Sequence, residues 1–190
     1  MGSAHSTIDA EAAAFIRAQR MFFVASAPLA GDGHVNLSPK GLDTFRILDE
    51  RTVAYLDFVG SGAETIAHLR ENGRMTIMFC AFDGPPKILR LYGRGEVLEP
   101  GDEGFGARLA GFPPDMTAAP GVRSILVLHV DRVANSCGYG VPRYAYVGER
   151  TELGDWCRRK GDDGVREYQS KKNGSSLDGL PALRWVSDRR

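Results

Sequence analysis

Val53-Ala54-Tyr55-Leu56-Asp57-Phe58, followed by Val59-Gly60-Ser61-Gly62-Ala63-Glu64-Thr65, carries the chain from a strand into a helix. Val53, Tyr55 and Asp57 alternate with Ala54, Leu56 and Phe58, the period of two that sends successive side chains to opposite faces of a sheet. Ser61 and Glu64 stand at the spacing of a capping box, with the serine hydroxyl on the Glu64 N–H and the carboxylate reaching back. The predicted helix turns Ile66 and Leu69 inward and stops at Asn72-Gly73, a good C-terminal signal. Free N–H groups at such a helix start, beside the Ser61 and Thr65 hydroxyls and glycines that admit a ligand, also suit a phosphate. Spacing alone favours the plain cap, because Glu64 disfavours an anion unless its side chain turns away.

Working toward the N-terminus, Lys40 in Asn36-Leu37-Ser38-Pro39-Lys40-Gly41 places a cation at the end of a neighbouring strand. In an antiparallel barrel it could approach that same helix start; a surface lysine needs no such explanation. Residues 34–38 form the second strand of a hairpin whose first strand is 21–26 and whose turn holds Gly31-Asp32-Gly33. Before it, Ile8, Ala12, Phe15 and Ile16 recur at helical spacing over residues 8–20, with Asp9 and Glu11 in the first turn. Residues 45–48 read as another short strand.

Working toward the C-terminus, 75–82 is an almost unbroken apolar strand, and 87–98 is a long strand whose Gly93 and Gly95 suggest a bulge that helps a sheet close. A glycine-spaced helical piece near 103–109 and a Pro-rich loop lead to 124–134, the clearest strand in the chain. After Val147 the character changes to helix and loop. About six strands with glycine punctuation and short edge helices describe a mainly β fold, a small antiparallel barrel with flanking helices. Residues 1–190 read as one domain, with 148–190 as its helical and loop extension. Residues 158–172 hold six basic and three acidic side chains, which suits a solvated helical face.

Lysine plus arginine number 24, as do aspartate plus glutamate, so the broad positive field that nucleic acid or an anionic membrane surface needs is missing. No apolar run approaches the roughly 20 residues of a membrane span, and residues 1–9 show no leader pattern. A cytoplasmic protein is the expectation. Cys80, Cys137 and Cys157 are odd in number and widely spaced, and His5, His34, His68 and His129 are scattered, so no disulfide framework and no metal is assigned. Cys80 and Cys157 read as small buried hydrophobes.

No nucleophile–base set, metalloprotease helix motif or Gly-Lys-Ser/Thr phosphate loop can be assembled, so an organic cofactor is the expected source of any reactivity. In Asn135-Ser136-Cys137-Gly138-Tyr139-Gly140-Val141-Pro142, polar groups and accessible backbone flank an aromatic. That pattern would suit a flat, hydrogen-bonding ligand; an ordinary loop with Tyr139 packed on its own barrel is the alternative.

Phe22-Phe23-Val24-Ala25-Ser26, Val35-Asn36-Leu37-Ser38-Pro39-Lys40-Gly41, Val53-Ala54-Tyr55-Leu56-Asp57, Ser61-Gly62-Ala63-Glu64-Thr65 with His68-Leu69 and Asn72-Gly73-Arg74, and Ile88-Leu89-Arg90-Leu91-Tyr92-Gly93 follow in that order. Together they resemble the pyridoxamine 5'-phosphate oxidase-like superfamily, the FMN-binding split barrels, over residues 15–133. Ser136-Cys137-Gly138-Tyr139-Gly140-Val141-Pro142 and Lys172-Asn173-Gly174-Ser175-Ser176-Leu177-Asp178-Gly179-Leu180-Pro181 are similar to a subgroup of it.

The resemblance implies a split antiparallel β-barrel and a homodimer with two FMN sites at the subunit interface, each completed by the other chain. It would lay Asn36, Leu37, Ser38, Pro39 and Lys40 along the flavin and its ribityl chain, and Leu56 and Asp57 at the isoalloxazine edge. Ser61, Gly62 and Thr65 would hold the phosphate, Arg90 would contact the cofactor from the next strand, and Cys137, Gly138, Tyr139 and Gly140 would lie near the flavin in the dimer. Oxidases of this type put adjacent basic residues where this chain has Glu64-Thr65, which implies modest FMN affinity. Their substrate-binding Trp and Arg arrangement is not recognisable either, so vitamin B6 is not the expected substrate. The implied function is an FMN-dependent oxidoreductase acting on a small molecule or electron donor, with deazaflavin as a variant cofactor. The alternative is a non-enzymatic flavin or haem protein for storage or sensing, for which His34, His68, His129 and Cys137 are the available axial ligands.

Overall fold

The computed structural model describes residues 4–188; Met1, Gly2 and Ser3, part of the stretch read for a leader, and the last two residues lie outside it. In chain order the elements are β1 (Ala4–His5), α1 (Ala10–Ala18), β2 (Phe22–Ser26), β3 (Asn36–Lys40), β4 (Phe45–Asp49), β5 (Thr52–Phe58) and α2 (Glu64–Asn72). β6 (Arg74–Cys80), β7 (Ile88–Leu98), α3 (Phe105–Leu109), α4 (Pro114–Thr117), β8 (Val122–Ser136), α5 (Glu152–Lys172) and α6 (Arg184–Ser187) complete it. The strands form one sheet in the order β3-β2-β6-β7-β8-β5-β4, with β1 added to β8, and every pairing is antiparallel. The seven stretches read as strands, summed as about six, correspond to the seven strands on this path, to which the two-residue β1 is added.

Aromatic packing rolls the sheet into an open barrel. Phe22 of β2 stacks edge-on against Phe45 of β4 with centroids 5.1 Å apart, and Phe45 meets Phe79 of β6 at the same distance. Strands distant along the hydrogen-bonded path are thereby brought together around one core. Val53 and Tyr55 of β5 and Leu126 and Leu128 of β8 point into it, while Ala54, Leu56, Ile125 and Val127 point the other way, onto Phe105, Leu109, Phe112 and Met116 around α3 and α4. β5 and residues 125–128 of β8 are buried on both faces, which explains why 125–128 reads as an apolar run rather than an alternation. The irregularity expected near Gly93 falls opposite the Tyr92–Gly93 step, but the extra residue is Asp131, so the bulge lies in β8 rather than in β7. A Cβ on Gly93 would lie 1.9 Å from the His129 carbonyl oxygen, so only glycine lets β8 approach so closely.

Asp9 caps α1, its side chain accepting from the Ala12 N–H at 2.7 Å. Gly73 ends α2 in the left-handed region, φ 70. The capping box at Ser61 does not form. The helix begins at Glu64 behind Ala63, with no side-chain cap, and Ser61 stays exposed. The physical reason is that the Gly62 carbonyl accepts from Arg123 Nη1 at 2.8 Å, so the turn before α2 is held by the barrel rather than by its own serine.

The C-terminal extension covers its own barrel. α5 breaks at Gly161, φ 66, and packs Cys157 and Val165 with Val59 and Trp156. Ala182, Leu183 and Val186 join the barrel core, with Trp185 packed against it. Arg70 of α2 donates to the Ala182 carbonyl at 2.8 Å and pairs with the buried Glu99. Cys80 is buried as a small hydrophobe too, whereas Cys137 is exposed. Among the described residues no helix is long and apolar enough to cross a membrane.

Candidate functional site

Asn36, Ser38 and Lys40 project half-buried from one face of β3, and Leu37 and Pro39 are exposed on the other. Ser38 Oγ donates to Asn36 Oδ1 at 3.1 Å, and Asn36 Nδ2 donates to Thr65 Oγ1 at 3.0 Å. Lys40 Nζ donates to Asp57 Oδ1 at 3.0 Å. On the far side of that carboxylate, Arg123 Nε donates to Oδ2 at 2.6 Å and Ser124 Oγ to the same atom at 3.3 Å. Arg123 then reaches the Gly62 carbonyl. The fold therefore draws Asn36, Ser38, Lys40, Asp57, Gly62 and Thr65, which span 30 residues of sequence, onto one polar seam along β3, β5 and the start of α2.

Asp57 is 2% exposed. Burial alone would push its carboxyl up, but the charges and hydrogen bonds of Arg123 and Lys40 outweigh it and hold it at about 2. Tyr55, fully buried beneath Lys40, is raised well above the usual phenol range by burial and then by the Asp57 charge, so it stays neutral. Burial likewise lowers His68, whose Nδ1 faces Ser26 Oγ at 3.0 Å. Lys40 and Arg123 outnumber Asp57 by one charge, which the Glu64 carboxylate beside Gly62 balances as long as it stays there.

The other expected residues lie apart within this chain. The Leu56 side chain is buried against the α3–α4 side and its N–H is taken by the Thr44 carbonyl at 3.0 Å. Arg90 stands on the outer face of β7 and donates to Ser136 Oγ at 3.0 Å. Cys137, Gly138, Tyr139 and Gly140 follow at the β6–β7 hairpin, where Gly138, Tyr139, Val141 and Arg143 line a cavity of about 370 Å³ with Ala81, Gly84 and Pro86. Tyr139 is 83% exposed rather than packed on its own barrel. Of the candidate axial ligands, His34 is an exposed hairpin residue tied to Asp178 at 2.6 Å, His129 faces Glu96 at 3.4 Å, and His68 is buried. They do not converge.

Two members of the seam escaped the sequence reading. Arg123 is a single charge opening an apolar strand, and that isolation was the available signal. Asn173, at the end of α5, donates to the carbonyls of Gly60 at 3.0 Å and Gly62 at 3.4 Å; nothing local to Asn173 foretells it.

The seam fits a phosphate ester. The first turn of α2 has no side-chain cap, Thr65 and Ser38 bring hydroxyls, and Lys40 and Arg123 bring the charge. Glu64 opposes this: its carboxylate lies over Gly62, close enough that a Cβ there would sit 2.1 Å from Oε2. It has to turn outward for an anion to enter.

A family model described as pyridoxamine 5'-phosphate oxidase matches residues 8–137. A pyridoxamine 5'-phosphate oxidase family protein of Aspergillus flavus, ustO, is 42% identical over 182 residues, covering 87% of this chain and 71% of the relative. The chain belongs to the pyridoxamine 5'-phosphate oxidase family. Solved structures share its fold. A variant of HupZ from Group A Streptococcus superposes with a TM-score of 0.55 at 21% identity, over 68% of this chain and 99% of that one. A Clostridium acetobutylicum protein related to general stress protein 26 of B. subtilis gives 0.51 at 12% identity, over 67% of this chain and 86% of that one. Within this pyridoxamine 5'-phosphate oxidase family member the matched region includes Arg123, while Asn173 lies beyond it, in the extension.

Proposed function

We propose that this family member is a cytoplasmic FMN-dependent oxidoreductase acting on a small molecule other than vitamin B6. The carrying observation is the polar seam, which gathers amide, hydroxyl and cationic donors from β3, β8 and the α2 start around one buried carboxylate. Ser61, Gly62 and Thr65 would hold the phosphate, helped by Lys40, with Arg123 supporting the turn from behind through the Gly62 carbonyl, and Asn36, Ser38 and Lys40 would follow the ribityl chain. Asp57 fixes the two cations in place, and neutral Tyr55 supports them from below. Bound there, FMN supplies hydride and electron transfer, and the protein contributes position and electrostatics. Deazaflavin would call on the same donors.

A homodimer with shared sites is part of this proposal. Tyr139, Tyr144 and Val147 are 83%, 64% and 97% exposed, and exposed apolar side chains of this kind suit an interface; in the proposed dimer Arg90 and residues 137–140 of one chain would approach the seam of the other. A substrate other than vitamin B6 is supported by Glu64-Thr65 at the phosphate and by Trp185, which is committed to its own core.

The test is to identify by absorption what copurifies, titrate the protein with FMN, and offer NADH and NADPH under anaerobic conditions. Flavin uptake followed by bleaching supports the proposal. No uptake of added FMN defeats it, a Soret-type band assigns haem, and bound FMN that no donor reduces points to storage or sensing. Sedimentation as a monomer would remove the shared site.

A further inference from the structure

Asn173 is 0% exposed and its backbone is held at both ends, its N–H by the Gln169 carbonyl at 2.7 Å and its carbonyl by the Leu183 N–H at 3.1 Å. Its side-chain amide is therefore aimed by rigid structure. Nδ2 points at the carbonyls of Gly60 and Gly62, yet Oδ1 is buried without a hydrogen-bond partner, an arrangement that costs stability. A residue that only ended α5 would not need it.

A trans peptide sets its C=O and N–H on opposite sides of the chain, and the backbone described here has no cis bond. With the Gly60 and Gly62 carbonyls drawn toward Asn173, and the latter also toward Arg123, the N–H groups of Ser61 and Ala63 face the other way. With the uncapped first turn of α2 they make a run of backbone donors of the kind that binds anions. The loop after Asn173 grips the opposite flank of the seam as well. Asp178 accepts from the His34 N–H at 2.8 Å and pairs with its ring, pinning the turn that leads into β3.

We infer that Asn173 is a positioning residue for the phosphate cradle, acting from the C-terminal extension through the Gly60 and Gly62 carbonyls to turn the Ser61 and Ala63 amides outward. This rests on the reading that a phosphate ester sits at the start of α2. Riboflavin, which lacks the phosphate, separates the two ideas. Wild-type protein binds FMN about tenfold or more tighter than riboflavin, by the worth of hydrogen bonds to a charged group. Asn173→Asp, which sets an acceptor against the two carbonyls, loses that preference while riboflavin affinity is kept. Wild type with no preference sinks the phosphate reading and this inference with it. A wild-type preference that survives in Asn173→Asp and in Asn173→Leu overturns the positioning role alone. If neither variant folds, ¹⁵N spectra of the wild type titrated with inorganic phosphate give the answer: the Ser61 and Ala63 amides shift, and their failure to move overturns the inference.

Discussion

Asp57→Asn keeps the shape of the most buried group in the seam and removes the charge that Lys40 and Arg123 share. With the native carboxyl at about 2 and an ordinary value of 3.8 in the unfolded chain, the ionised form contributes about 2 kcal/mol to wild-type stability at neutral pH. The folded value is depressed, so this contribution is fully present above the unfolded value and is lost as pH falls through the folded one. About half of it remains at pH 3. Urea unfolding of wild type and variant at pH 7, 5, 4 and 3 should show a gap of about 2–3 kcal/mol that holds from pH 7 to 5 and then narrows. The narrowing is the informative part, because a protonated aspartic acid and an asparagine meet the two cations alike. A gap that stays constant to pH 3, or a variant more stable than wild type at pH 7, would refute the coupling of Asp57 to its partners.

Glu64→Gln removes the anion lying over Gly62 and should tighten FMN binding by about 0.5–1 kcal/mol in equilibrium titrations, with riboflavin affinity unchanged. Gly93→Ala drives a methyl into the His129 carbonyl and should lower stability by about 2 kcal/mol or more, whereas Gly31→Ala, which meets open space, should stay within about 0.5 kcal/mol in the same thermal melts. Leu183→Ala opens a cavity where the extension enters the barrel core and should cost about 2–5 kcal/mol; a near-neutral result would mean the extension does not pack on its own chain.

Much of the architecture was legible along the chain because it is written in local periods. The alternation of Val53 to Phe58, the stop at Asn72-Gly73 and the glycine interruption in β7 each report on neighbours within a few residues. Of the fifteen site residues that the resemblance implied, the fold gathers six, Asn36, Ser38, Lys40, Asp57, Gly62 and Thr65, onto one seam. Ser61 was misleading, because its spacing to Glu64 satisfies the capping-box pattern while a distant arginine takes the turn's carbonyl instead. Arg123 and Asn173 carried too little local signal to be chosen. Within one chain the fold also leaves Arg90 and residues 137–140 away from the seam, a separation that no linear spacing expresses.

The sequence by itself determined a mainly β fold, the course of its seven longer strands and of α1, and the family to which it belongs, since side-chain period, turn residues and motif order are properties of consecutive positions. Only the tertiary structure decided the electrostatics of the site. Asp57 is neutralised by an arginine 66 residues away, and the turn before α2 is oriented by an asparagine 113 residues from Gly60. A buried charge or an outward-facing amide exists only once closing the barrel excludes water and supplies the opposing group.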